Sequence, residues 1–212
     1  KYSFSNGMKS IDGMPSVLSG IPMFIEPFFL TPSSLNTVSS IGGELGKKGY
    51  YTAFFHGADN GSMGFEAFAR TAGYTHYFGR TEYNEANPDN KDFDGHWGIW
   101  DEKFFQFFGN TLSGFQQPFA AALFSLSSHH PFAVPAEYEG VFPKGNKPIR
   151  QCIGYTDNAL KLFFEKVSKE PWYKNTLFVF TADHTNSPER PEYETESGLF
   201  SVPVVFYQPG SD

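Results

Sequence analysis

Apolar residues fall along this chain in short runs separated by stretches of helical periodicity. Four runs have strand length: Tyr50-Tyr51-Thr52-Ala53-Phe54-Phe55, Phe119-Ala120-Ala121-Ala122-Leu123-Phe124-Ser125-Leu126, Thr176-Leu177-Phe178-Val179-Phe180, and Ser201-Val202-Pro203-Val204-Val205-Phe206-Tyr207. Between them the pattern predicts a helix over 10–20, with Pro15 in its first turn and Gly20-Ile21-Pro22 closing it. A second helix, capped by Ser34 or Asn36, runs through Leu45, and others cover Gly64 to Ala72 and Asp101 to Phe108. Ile149 to Val167 carries apolar residues at Ile153, Leu160, Leu162, Phe163, Phe164 and Val167, an amphipathic helix. Residues 23–33 read as irregular and 73–98 as a long loop. Strands alternating with helices predict an α/β fold, a three-layer sandwich around a mostly parallel central sheet.

Three of the strand runs stop at side chains with chemistry. The first ends at His56-Gly57, the second at Ser127-Ser128-His129-His130-Pro131, and the third at Thr181-Ala182-Asp183-His184-Thr185. In a parallel sheet all of these project from one edge, where α/β proteins form their sites. Adjacent Asp and His also suit a divalent cation such as Zn²⁺ or Mn²⁺. For a lone Asp-His pair a solvated strand end is the favoured reading; three such ends in one chain shift the balance to an active site.

Composition narrows the partners. With 212 residues the chain suits one domain, and its 25 Phe and 11 Tyr predict a core rich in aromatic rings. A net charge of −7 argues against nucleic acid or an anionic membrane surface as the main partner. An acidic protein handling phosphate or sulfate needs a local cation, which fits a metal site. The single cysteine, Cys152, allows no internal disulfide and reads as a small buried hydrophobe. His76 and His96 read as surface groups, Asp12 as capping or solvating the helix start, and Glu189, Glu192, Glu194 and Glu196 as a solvated loop.

The segment from Asn6-Gly7-Met8-Lys9-Ser10 to Ser19-Gly20-Ile21-Pro22 makes Ser10 an ordinary helix cap if taken alone. Together with Phe55-His56-Gly57, Trp97-Gly98-Ile99-Trp100-Asp101, Ser128-His129-His130-Pro131-Phe132 and Ala182-Asp183-His184, it resembles the lipoteichoic-acid-synthase-like, phosphoglycerol-transferring branch of the sulfatase and alkaline phosphatase superfamily. The motifs occur in that family's order through most of the chain. The resemblance implies an alkaline-phosphatase-like fold, with residues 1–212 forming part of one catalytic domain whose N-terminal strand and C-terminal end are expected to lie beyond this sequence.

It also implies roles. Ser10 would be the nucleophile and a metal ligand, with Asp183 and His184 completing the chain's share of the site. The ion would be one divalent metal, Mn²⁺ ahead of Zn²⁺ or Mg²⁺, and a further acidic ligand would come from a strand upstream. His129 would act as acid or base, and His56, Asp59, His129 and Trp97 would meet the substrate, the histidines as imidazolium or as proton relays. The loop Ala58-Asp59-Asn60-Gly61-Ser62-Met63-Gly64-Phe65 lacks the Trp and Arg that the family places there. Implied partners are a small-molecule or lipid head-group substrate and a glycan or lipid acceptor, handled by a membrane-anchored parent on the extracytoplasmic face of a bacterial envelope. Ser10 is followed by Ile11-Asp12-Gly13-Met14, without the Pro and Arg of the formylglycine motif, so a direct serine nucleophile is the simpler expectation. Two alternatives stay open: a sulfuric- or phosphoester hydrolase, and a non-catalytic glycan- or anion-binding domain with a degenerate metal site.

Overall fold

A computed structural model describes residues 3–211; Lys1, Tyr2 and Asp212 lie outside the described residues. Three strands form a parallel sheet in the order β2-β1-β3, where β1 is Tyr51–His56, β2 is His76–Phe78 and β3 is Phe119–Phe124. Alternation along β1 divides the layers, because successive side chains of a strand face opposite ways. Phe54 packs with Met14 and Leu18 of α1 (Ser10–Ser19) and with Phe65 and Phe68 of α3 (Phe65–Thr71). Ala53 and Phe55 pack on the other side with Phe104 of α5 (Asp101–Ser113). On that side Phe119, Ala121 and Leu123 of β3 meet Phe105 of α5 and Phe163 of α6 (Ile149–Val167). Helix layer, sheet and helix layer are the expected sandwich. Phe54 and Phe55 are 2 % and 0 % exposed, and burial of each contributes about 1.5–3 kcal/mol before the ordering cost.

The remaining strands do not join that sheet. β4 (Phe178–Thr181) and β5 (Val204–Tyr207) form a separate antiparallel pair. The expectation that Asp183 and His184 leave the same sheet as His56 and His129 is therefore corrected: among the described residues no ladder links β4 to β3. Both strands instead lean on α6, β3 through the cluster around Phe163 and β4 through Phe178, whose ring is 5.0 Å from that of Phe164.

Several local expectations change. The loop predicted over 73–98 contains β2 and the short helix α4 (Arg80–Ala86). The second helix, α2, is only Ile41–Gly46, capped by Ser40, whose hydroxyl accepts the Gly43 N–H. Lys9, not Ser10, precedes the first helical residue of α1, so the Ser10 hydroxyl is not consumed by capping. Pro15 lies beyond the first turn, and α1 ends on Gly20 at φ 64°, the left-handed conformation that glycine adopts without a Cβ penalty. Asp12 is not solvated but 4 % exposed, against the backbone of Gly7. Glu189, Glu192, Glu194 and Glu196 are exposed as expected, and Glu189 is also ion-paired to Arg150 at the start of α6.

Candidate active site

The N-terminal segment runs antiparallel to residues 200–202, with the Ser5 N–H donating to Phe200 O at 2.7 Å and Val202 N–H to Ser3 O at 3.1 Å. The segment after β4 is tied to the same region, because the Thr185 hydroxyl donates to the Leu199 carbonyl. These pairings bring the start of α1 against Asp183 and His184. Ser10 Oγ lies 3.4 Å from His184 Nε2, and Asp183 Oδ2 lies 3.3 Å from the same nitrogen. Gly13, one turn after Ser10 on the same face of α1, makes the approach possible. A Cβ there would sit 2.6 Å from Asp183 Cβ and 3.0 Å from its Cα.

His184 Nδ1 is 2.7 Å from the Thr185 carbonyl oxygen, which can only accept, so Nδ1 carries a proton. In neutral imidazole Nε2 then presents a lone pair to a carboxylate oxygen 3.3 Å away and to the Ser10 hydroxyl. That spacing leaves room for a proton or a metal cation shared between them. Among the described residues no three His, Cys, Asp or Glu side chains are grouped to hold a metal ion. The donor set is a hydroxyl, a carboxylate and an imidazole whose outer nitrogen is fixed by a backbone carbonyl, as is usual for a metal-ligating histidine. It fits a divalent cation that takes part of its coordination from elsewhere.

A second group forms at the ends of β1 and β3. His129 is exposed, and its Nδ1 donates to the His130 carbonyl at 2.9 Å. Trp97 Nε1–H donates to the same oxygen at 2.5 Å, and the indole meets the His129 ring edge-to-face with centroids 4.6 Å apart. Asp94 Oδ1 holds the turn behind Trp97 by accepting the N–H groups of His96, Trp97 and Gly98. His76 and His96 are exposed, as expected; His76 stacks on Tyr51, whereas His96 borders the His129 group.

His56 departs from expectation. It is 0 % exposed, with Phe65 and Phe124 against its ring, so it lies behind the strand-end surface rather than on it. Its Nδ1 donates to Phe124 O at 3.2 Å, and Nε2 has no partner. Burial lowers its pKa to about 4, which excludes an imidazolium at neutral pH. Asp59 is exposed and pairs with Arg80 Nη1 at 3.0 Å, while the guanidinium lies 3.9 Å from the centroid of Phe93. A basic partner absent from the 58–65 loop thus comes from α4. Cys152 is fully buried and its thiol pKa rises to about 11. The structure brings Ser10, Asp183 and His184 into one group and Trp97 and His129 into another. No hydrogen bond or ring contact joins the two groups among the described residues.

The parallel sheet between two helix layers defines an α/β protein. The sulfatase family model matches residues 2–212, and the chain belongs to that family. Lipoteichoic acid synthase 2 of Bacillus subtilis is 28% identical over 70% of this chain and 23% of its own length. Phosphoglycerol transferase I of Escherichia coli is 27% identical over 82% of this chain and 24% of its own. The fold is shared with the crystal structure of a lipoteichoic acid synthase from Listeria monocytogenes, with a TM-score of 0.82 and 21% identity over 99% of this chain and 56% of that one. The chain therefore spans about a quarter of the curated relatives it matches. Among the described residues no helix is long and apolar enough to cross a membrane.

Proposed function

We propose that the parent protein is an extracytoplasmic transferase that moves a phosphoglycerol-type group from a phosphodiester, such as a phospholipid head group, to a glycan or lipid acceptor through Ser10. The observation that carries this reading is the convergence of the Ser10 hydroxyl, the Asp183 carboxylate and the His184 Nε2 lone pair at the start of α1. Ser10 Oγ forms a bond to phosphorus, the bond to the leaving alcohol breaks, and an acceptor hydroxyl later takes the group from the serine. The start of a ten-residue helix stabilises the negative charge that develops there. A divalent ion held by Ser10, Asp183, His184 and an acidic ligand from outside the described residues, Mn²⁺ before Zn²⁺ or Mg²⁺, would favour the alkoxide.

His129 supplies or removes the proton at the leaving and attacking oxygens. Its Nδ1 is committed to a carbonyl, which leaves Nε2 for that task. Asp59 with Arg80, and the half-exposed Trp97 indole, form the substrate side. His56, buried and neutral, lies behind the surface and packs under it rather than meeting the substrate. Names of relatives support glycerol phosphate as the transferred group, and the missing formylglycine pattern favours phosphate over sulfate.

The test is to incubate the intact parent with Mn²⁺ and phosphatidylglycerol and look for phosphoglycerol on the Ser10 peptide by mass spectrometry. Ser10→Ala and Asp183→Asn should each abolish both adduct and turnover. Full turnover by Ser10→Ala would replace this reading with a water-attacking hydrolase. Absence of both metal binding and turnover in the wild type would leave a binding module.

A further inference from the structure

Asp101 has no part in the transfer step, yet it is 2 % exposed and lies at the start of a 13-residue helix. Its backbone N–H donates to Ser127 Oγ at 3.0 Å. Its Oδ1 accepts the Leu126 N–H at 2.8 Å, and its Oδ2 accepts the Thr156 hydroxyl at 2.9 Å. Thr156 Oγ1 is in turn 3.1 Å from Ser128 Oγ. The one hydroxyl proton of Thr156 is already given to the carboxylate, so Ser128 must be the donor in that last bond. Leu126, Ser127 and Ser128, the three residues before His129, are therefore all tied to Asp101, directly or through one hydroxyl. On the far side of His129, the His130 carbonyl is held by Trp97. His129 itself has no hydrogen bond outside its own loop.

We propose that Asp101 is a positioning residue for His129: through Leu126, Ser127 and the Thr156–Ser128 relay it fixes the loop conformation in which the His129 Nδ1–H points at the His130 carbonyl and Nε2 stays free. This rests on the reading of His129 as the proton-transfer group. A carboxylate suits the place because the converging donors all point at it and none needs to be accepted from it. Burial raises its pKa, while those donors and the positive end of α5 favour the ionised form. Asparagine would have to offer N–H to Thr156 or Leu126 and would reverse or break a link. The titratable groups bordering His129 are Asp94, His96 and His130, none of which bonds to the His129 ring through its side chain.

The test is the tautomer of the His129 ring, read by ¹⁵N NMR at constant pH in the wild type, Thr156→Val and Thr156→Ser, with His129→Gln to assign the signals. The wild type should show the Nδ1–H form. Thr156→Val should lose it in favour of a mixture, and Thr156→Ser should restore it. Phosphodiester turnover on bis(p-nitrophenyl) phosphate with Mn²⁺ should follow the same order. A fall in kcat on the order of 10-fold or more is expected for Thr156→Val, with KM little changed. If Thr156→Val fails to fold, Ser128→Ala breaks the same relay at its outer end and serves instead. A folded Thr156→Val or Ser128→Ala protein with the wild-type tautomer overturns the inference and leaves Asp101 a purely structural anchor. The Nδ1–H tautomer in a wild type without turnover, lost on relay removal, supports the positioning role and counts only against the transferase reading.

Discussion

Replacing Gly13 by alanine separates the geometry of the site from the stability of the helix that carries it. In α1 the new Cβ would lie 2.6 Å from Asp183 Cβ and 3.0 Å from its Cα and carbonyl oxygen, where ordinary contact is 3.4–4 Å. Asp183 and its backbone, or α1 itself, must retreat by about 0.8 Å. Neither is the free end of a flexible side chain, so the shift passes directly to the carboxylate. Two stability terms oppose each other. Alanine improves helix propensity by about 1 kcal/mol, while overpacking of this kind costs about 1–3 kcal/mol. The net loss should be no more than about 2 kcal/mol, a melting shift of a few degrees for a chain of this size. The functional loss should be much larger, because a misplacement near 1 Å costs on the order of 10² in rate. The assays are Mn²⁺ titration calorimetry, phosphodiester turnover at saturating metal, and thermal melting. Gly43→Ala is the control: its Cβ would meet the Ala72 carbonyl at 2.7 Å, among residues that contribute nothing to the site, so it should lower the melting temperature and leave turnover unchanged. Wild-type Mn²⁺ affinity and turnover in Gly13→Ala would refute the claim that Gly13 sets the Ser10–Asp183 approach.

Three other outcomes follow from the same structure. His129→Ala should slow turnover by roughly 10²–10⁴-fold with metal content intact, since water can partly replace a proton relay; loss of metal in that variant would show His129 acting as a ligand. His56 should make folding acid-sensitive. Its folded pKa of about 4 lies below the ordinary histidine value of 6.5, so stability is complete above pH 6.5 and is lost as pH falls towards 4. The loss amounts to about 3 kcal/mol, and urea unfolding should show a shallower pH dependence for His56→Gln than for the wild type; identical slopes would refute it. Cys152, buried with its thiol pKa raised to about 11, should resist thiol reagents in the folded protein and react at once in urea; rapid native labelling would contradict its placement.

What the sequence made legible follows from how each feature announces itself. The amphipathic period of residues 149–167 identified α6 to its ends, and the apolar runs identified β1 and β3. β2 was hidden because it is a three-residue strand, His76–Phe78, whose pairing with β1 rather than its composition makes it a strand. α4 was hidden because its sequence, RTEYNEA, buries only Tyr83 and shows no apolar stripe. Strand-end histidines looked equivalent along the chain, yet His56 is enclosed by Phe65 and Phe124 while His129 is exposed. That difference depends on what packs over each strand end. Asp101 stood out in the sequence only as the end of the Trp97–Asp101 segment, and only the fold brings Leu126 and Thr156 to its two oxygens. Arg80 was passed over for a similar reason, since its partners Asp59 and Phe93 come from separate loops.

The two groups are delivered by different devices, and α6 is an element that touches both. The parallel register of β1 and β3 sets the His129 half, whereas the pairing of residues 3–5 with 200–202 sets the Ser10 half. Among the described residues β3 and β4 do not pair, and no backbone ladder there fixes one half against the other. α6 touches both. Thr156 bonds Asp101 behind the His129 loop, and Arg150 holds Glu189 in the loop that follows His184. Phe163 packs with the cluster that includes β3, and Phe164 packs on Phe178 of β4. The polar ties lie on the N-terminal half of the helix and the aromatic ties on its C-terminal half, so a tilt of α6 would move the site through the first while pivoting on the second. Packed aromatic cores resist such movement because they have few voids into which side chains can slide. Phe163, Phe164 and Phe178 thus help set the distance between the Ser10 group and the His129 group.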